Sequence, residues 1–190
     1  AFEAAQAHKI RFLFGIKMTV CEDKTQKTPE SLGSQSSVTV FCCNDKGYSD
    51  AAKIYSDAHV NGFYYQARTD WKTLNSLWTP NLKLALPFYS SFLAKNTLKF
   101  GHKAFPDLTN IPNATLMKEE HALPFDGLLS SIVEESSIKL KLPIIDTHTI
   151  HYYRSADVVT LQTLRCIHNR SVLFKPELDH FGSDQFSFES

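Results

Sequence analysis

Short apolar runs alternate along this chain with stretches whose apolar residues recur at helical spacing. Residues 2–8 (Phe2-Glu3-Ala4-Ala5-Gln6-Ala7-His8) are rich in helix formers and read as the end of a helix. The apolar run from Ile10 to Val20 encloses Gly15, and a strand is expected over 14–21. Residues 22–37 are polar, with Pro29 and Gly33, and read as a loop. Val38-Thr39-Val40-Phe41-Cys42-Cys43 reads as a nearly continuous apolar strand, followed by a turn at Asn44-Asp45-Lys46-Gly47. Ala51, Ile54, Tyr55 and Ala58 mark one face of a helix over 48–60, which Asn61-Gly62 ends.

Phe63-Tyr64-Tyr65 opens an aromatic segment, and Thr69 or Asp70 can cap a short helix over 71–78. Leu82-Lys83-Leu84-Ala85-Leu86 alternates as a strand does, and Pro87 ends it. A helix within 90–103, a loop over 107–113 and a strand over 114–120 follow. A helix is expected over Asp126–Leu140, with Leu128, Leu129, Ile132, Val133 and Ile138 as its apolar stripe and Glu134 and Glu135 on its wet side.

Leu142-Pro143-Ile144-Ile145 then starts as a buried strand and turns polar at Asp146-Thr147-His148-Thr149-Ile150-His151. Ser155 is placed to cap a helix over 155–168. The tail, 171–190, reads as loop with a short strand at 185–188. Strands alternating with helices argue for an α/β domain. A strand whose carboxyl end turns polar before a helix is where such folds place their sites.

The length of 190 residues suits one domain, and 43% hydrophobic with 21% charged residues suits one that buries a real core. The 20 basic and 20 acidic residues cancel, which argues against this chain as the main grip on duplex nucleic acid. Cys21, Cys42, Cys43 and Cys166 form no metal-type CxxC pattern; adjacent Cys42 and Cys43 read as core packing in a reducing, cytoplasmic setting. No apolar run reaches the roughly 18 residues of a membrane span, and no secretory signal is present. The chain opens mid-helix in character, so a fragment of a longer protein is expected.

Candidate chemistry narrows to a few residues. No P-loop, GxSxG or kinase motif occurs. Phe63-Tyr64-Tyr65 with Arg68 fits either a base-stacking platform or core packing, and the core reading is favoured. Strand alternation puts Thr149 and His151 on one face and Asp146 and His148 on the other. His8, His59, His102, His121, His168 and His180 lack mutual spacing for a site and read as surface or core residues.

Three passages go further. One is Gly47-Tyr48-Ser49-Asp50-Ala51-Ala52-Lys53-Ile54 through Gly62-Phe63-Tyr64-Tyr65-Gln66-Ala67-Arg68-Thr69-Asp70. Another is Leu142-Pro143-Ile144-Ile145 with Thr147-His148-Thr149-Ile150-His151-Tyr152 and Ala156-Asp157. The last is Leu164-Arg165-Cys166-Ile167, then Phe181-Gly182-Ser183-Asp184-Gln185-Phe186. In order and spacing they resemble the amino-terminal PHP (polymerase and histidinol phosphatase) domain of the α subunit of bacterial DNA polymerase III, a C-family replicative polymerase, with phage versions looking closest.

The resemblance implies a PHP-type distorted β/α barrel, incomplete here because the family's first strands, with their His-x-His motif, are absent from these residues. It implies a PHP-like domain over 1–170 and a connector toward the polymerase palm over 171–190. It also implies a metal centre of His, Asp, Glu and sometimes Cys at the strand ends. Members that keep every ligand look like phosphoesterases or proofreading exonucleases; others are structural or bind partner subunits.

Carried over residue by residue, the family's Asp-x-His pair falls on Thr149 and His151. A threonine hydroxyl is a poor ligand for Zn, Mn or Mg. His151 reads as a metal ligand or a packed remnant of one, and Asp146 with His148 offers a shifted alternative. The family's glutamate two residues after a glycine falls on Lys17, whose charge repels a cation. A further ligand position falls near Phe88 or Tyr89, neither of them a thiolate or imidazole.

The expectation is therefore a degenerate, metal-free PHP domain of a replicative polymerase α subunit, with no cofactor, no catalytic residue and a structural or partner-docking role. Its partners would be the rest of that subunit and other replisome proteins, with DNA met only through the full polymerase and no membrane. The rivals are a metal-dependent phosphoesterase or 3′–5′ exonuclease holding Mn, Zn or Mg at a residual site, and a freestanding module that binds another replication protein. An open sheet edge and poor monomeric behaviour are also expected.

Overall fold

A computed structural model of the chain describes residues 2–100, 108, 110–172 and 183–190. Six strands form one sheet: β1 (Gly15–Cys21), β2 (Ser36–Cys42), β3 (Arg68–Asp70), β4 (Leu82–Leu86), β5 (Ala114–Lys118) and β6 (Ile144–Asp146). Their order is β3-β1-β2-β4-β5-β6. β2 runs antiparallel to β1 and β4, and the other neighbouring pairs are parallel. Among the described residues the sheet does not close, as expected of a partial barrel.

Strand alternation decides which side is covered. Met18, Val20, Val38, Val40, Leu84, Leu86 and Leu116 point into one core with Ala51 and Ile54 of α3 (Asp45–Val60), Leu93 of α5 (Phe92–Phe100) and Leu129, Ile132 and Val133 of α6 (Asp126–Leu140). The alternate positions Lys17, Thr39, Phe41, Lys83, Met117 and Ile145 stay partly or fully exposed, and this face opens onto the site described below. At roughly 25 cal/mol per Å² of apolar surface removed from water, the covered face carries the stability.

Caps and close approaches set the helix positions. Asn44 Oδ1 accepts from Gly47 N at 2.8 Å, so α3 begins at Asp45, earlier than the expected 48. A Cβ at Gly47 would lie 2.4 Å from Asn81 O, and one at Gly62 would lie 1.8 Å from Arg68 O. Gly62 is thus required by backbone contact. Asp70 caps α4 (Trp71–Leu77), its Oδ1 accepting from Thr73 N at 2.7 Å. At the amino end, α1 (Phe2–Ala7) buries no residue.

Several expectations are corrected. The supposed loop 22–37 contains α2 (Pro29–Gly33), capped by Thr28, and β2 starts at Ser36. Ser31, Gln35 and Ser36 are buried there, which an apolar pattern cannot reveal. The core reading fails for Phe63 (50% exposed) and Tyr65 (80% exposed, φ 59°). Arg68 takes the interior instead. It is fully buried and donates to Gly62 O, Ser31 Oγ, Lys24 O and Gln26 O, with Tyr64's ring 5.1 Å away. The stacking platform therefore lacks an exposed cation from Arg68. Cys42 is half-buried and packs against the core, while Cys43 is exposed, so the core reading holds for Cys42 alone.

In α6, Leu128 and Ile138 face solvent while Ser136 is buried. Ser155 caps nothing. It begins a 3-10 turn, Ser155–Asp157, ahead of α7 (Val158–Asn169), and its hydroxyl meets Ser187 Oγ at 3.1 Å. The expected strand at 185–188 is a single bridge between Tyr152 and Ser187. The expectations for His102, His180, Phe181-Gly182 and the helix end at 101–103 lie outside the described residues. No described helix is long and apolar enough to cross a membrane.

Candidate functional site at the strand ends

β4, β5 and β6 run parallel, so the segments leaving their carboxyl ends meet on one side. From β4 comes Tyr89, from β5 Glu119 and His121, and from β6 His148, Thr149 and His151. All of them but His121 line a cavity of about 520 Å³, together with Lys17, Thr39 and Arg165.

One half of the site is buried and saturated with protein contacts. Asp126, the first residue of α6, accepts from His121 N at 2.9 Å and Leu123 N at 3.0 Å through Oδ2. Ala122 adopts a left-handed φ of 56°, and that turn aims both amides at one carboxylate. Tyr89 Oη donates to Asp126 Oδ1 at 2.9 Å and lies 3.0 Å from His121 Nδ1. His121 Nε2 faces Thr149 O at 3.2 Å. A carbonyl only accepts, so Nε2 carries the proton and Nδ1 is left as the acceptor. Glu119 Oε2 accepts from Thr149 N at 3.1 Å and stands 3.7 Å from His121 Nδ1.

The electrostatics follow from burial. Burial pushes the His121 imidazole below its ordinary value, against the pull of Glu119. Burial, reinforced by the bond to Asp126, pushes the Tyr89 phenol well above its own. His151 is pushed down by burial first and then by Arg165, His121 and Lys17, while Glu119 opposes the shift.

Rings tie the segments together. His148 stacks on His121 at 4.6 Å, His121 on Phe186 at 3.9 Å, and Phe186 on His151 at 5.3 Å. Phe186, 1% exposed, comes from the carboxyl-terminal segment, held by His151 N donating to Phe186 O at 2.9 Å and by Ser183 Oγ donating to His121 O.

Of the residues singled out in the sequence, Lys17, Tyr89, His148, Thr149 and His151 are brought together around the cavity. Phe88 is not; it is 2% exposed in the core. Asp146 sits in β6 and is not among the residues lining the cavity. Sequence reasoning missed Glu119, His121 and Asp126. The available signal was Glu119-Glu120-His121 just past an apolar strand, where a parallel sheet presents its site residues. Among the described residues, no three His, Cys, Asp or Glu side chains converge as a metal-holding group.

The sequence matches the PHP domain family over residues 1–105, more than half of the chain. It is 22% identical over 196 residues to DNA polymerase III subunit alpha of Treponema pallidum (strain Nichols), covering 99% of this chain and 17% of that protein. It is 23% identical over 164 residues to DNA polymerase III subunit alpha of Thermus aquaticus, covering 78% of this chain and 13% of that protein. The chain thus spans less than a fifth of the length of these curated relatives.

Proposed function

This chain belongs to the PHP domain family, and on that premise we propose that it is the PHP domain of a replicative polymerase of the DNA polymerase III alpha type, with a strand-end site that works without metal. Its role in this reading is structural: it supports and docks the rest of a longer polymerase chain. Similarity to two alpha subunits, one of them along 99% of this chain, supports the replicative setting.

The observation that carries the metal-free reading is Lys17 in the cavity wall beside Thr149. A metal centre needs anionic or imidazole donors facing one point, and an ammonium group there opposes a cation. Glu119 and His121 are the natural donors left, but Glu119 Oε2 accepts from Thr149 N, and His121 donates through Nε2 to Thr149 O from a fully buried ring that does not line the cavity. The donor set therefore does not fit a metal cluster, and two-metal phosphoester hydrolysis lacks its charge-neutralising ions. Exposed Val159, Leu164 and Ile167 on α7 supply apolar surface suited to packing against a longer chain.

Metal analysis of the purified chain, after incubation with Mn, Zn and Fe and removal of free ions, tests this. Trace metal and no hydrolysis of phosphate monoesters are expected. Stoichiometric metal with phosphoesterase or 3′–5′ exonuclease activity would overturn the reading in favour of an enzyme.

A further inference from the structure

Cations and rings are interleaved along the amino-terminal arm. His8-Lys9-Ile10-Arg11-Phe12-Leu13-Phe14 is exposed throughout, and α1 before it buries no residue. The arm is nonetheless held in place. Phe12 packs edge-on against Phe2 at 5.8 Å, Cys42 N donates to Phe14 O at 2.9 Å, and the Phe14 ring meets Tyr48 of α3 at 5.0 Å. Tyr48 and Tyr55 are two helical turns apart, so they share the outer face of α3, separated by about 10 Å along its axis. Beyond them the ring of His59 lies 4.3 Å from that of Tyr55. Phe12, Phe14, Tyr48 and Tyr55 are all exposed, and none of them lines the strand-end cavity.

The charges beside these rings lean one way. Lys9 and Arg11 come from the arm itself, and Lys46 sits two residues ahead of Tyr48. Among the described residues none of these cations has an ion-pair partner. The acids of α3 are mostly engaged within the protein: Asp50 by Lys53 and Thr79, Asp57 by Lys24 and Asn61. The exposed Asp45 stands in the first turn, where the helix dipole offsets its charge.

We infer that the arm and the outer face of α3 form a platform for single-stranded nucleic acid, with bases stacking on Phe14, Tyr48 and Tyr55 and phosphates meeting Lys9, Arg11 and Lys46. A nucleotide carries a flat base and a charged phosphate joined by a sugar, and interleaved rings and cations give each end a partner. Stacking tolerates any base sequence, and a single strand leaves its bases free to stack. A duplex does not, and a chain whose formal charges cancel lacks the broad basic surface that grips one. The unpaired cations favour a polyanion over an apolar protein segment as the occupant. The anchoring of Phe14 on β2 and α3 fixes the rings before a strand arrives, which lowers the cost of ordering them on binding. The platform is independent of whether the strand-end site holds metal.

The test titrates the full chain into fluorescein-labelled oligothymidylate of about a dozen nucleotides and follows anisotropy at low and high salt. Saturable binding that weakens with salt is expected. Tyr48→Ala and Arg11→Glu should each weaken it by about tenfold, and Tyr48→Phe, which keeps the ring, should retain it. Lys139→Glu makes the same charge change on an exposed residue of α6 and should leave binding unchanged. Circular dichroism checks the fold of each variant; should Tyr48→Ala unfold the chain, Tyr55→Ala carries the same expectation. No saturable binding by wild type, a duplex of equal length binding as tightly, unchanged binding in Tyr48→Ala, or equal losses in Arg11→Glu and Lys139→Glu would each overturn the platform. Ultracentrifugation supplies the remaining check: a dimer that Tyr48→Ala dissociates and oligothymidylate does not would assign this face to a second copy of the chain and overturn the proposal.

Discussion

The two halves of the strand-end site differ in what completes them. Around Tyr89, His121 and Asp126, the polar groups meet inside the protein: Asp126 accepts three hydrogen bonds and His121 makes contacts through both ring nitrogens. Around Lys17, Thr39 and the Thr149 hydroxyl, polar groups line a cavity with no such partners among the described residues. A buried polar group left unpaired is costly, so the first half is bound to stability. The second half loses little by lacking protein partners, because its groups face a cavity open to solvent. One crevice therefore carries a structural lock and an open polar wall side by side.

Substitutions can break this contrast. The largest effect is expected from Asp126→Ala, which strands two buried amides and the Tyr89 hydroxyl; a loss of about 3 kcal/mol in urea unfolding is predicted. A loss below about 1 kcal/mol would show that the lock is not structural. Tyr89→Phe removes one hydroxyl and leaves the Asp126 amide bonds, so about 1 kcal/mol is expected by the same measurement.

A smaller effect comes from pH. His121 and His151 both have folded values below the ordinary 6.5, so the unfolded chain binds more protons just below that pH. Stability should be full above pH 6.5 and fall as pH drops through the window beneath it. Stability that rises on going from pH 7 to 6 would contradict a neutral, buried His121 imidazole. His121→Asn should flatten the dependence, with Glu119, Asp126 and His148 as the neighbours whose charges set the remainder. The smallest effect is expected on the open side: Lys17→Ala should change stability by no more than about 0.5 kcal/mol, because an exposed side chain without protein partners is removed. A large destabilisation would mean that Lys17 belongs to the lock.

How much of this was legible varies by residue. The strand 82–86 and the helix over Asp126–Leu140 could be read directly, and the cap of α4 was narrowed to Thr69 or Asp70, since apolar period and capping chemistry act locally. His151, Thr149, Lys17 and the region of Tyr89 could be placed in a site through family spacing, and the fold brings them around one cavity. Glu119 and His121 could not, because each becomes meaningful only when β5 lies beside β6 and Thr149 supplies partners to both. Buried Arg68 defeated the pattern for a related reason: its four hydrogen-bond acceptors come from three separate stretches of chain.

The sequence by itself determined the alternation of strands and helices and the turn from apolar to polar residues after Ile145, properties of residue type and spacing. Only the tertiary structure decided which polar groups are satisfied within the protein and which are left facing a cavity. Hydrogen bonding and desolvation depend on neighbours brought in from distant segments: Tyr89 reaches Asp126, Thr149 reaches Glu119, and Phe186 stacks between His121 and His151.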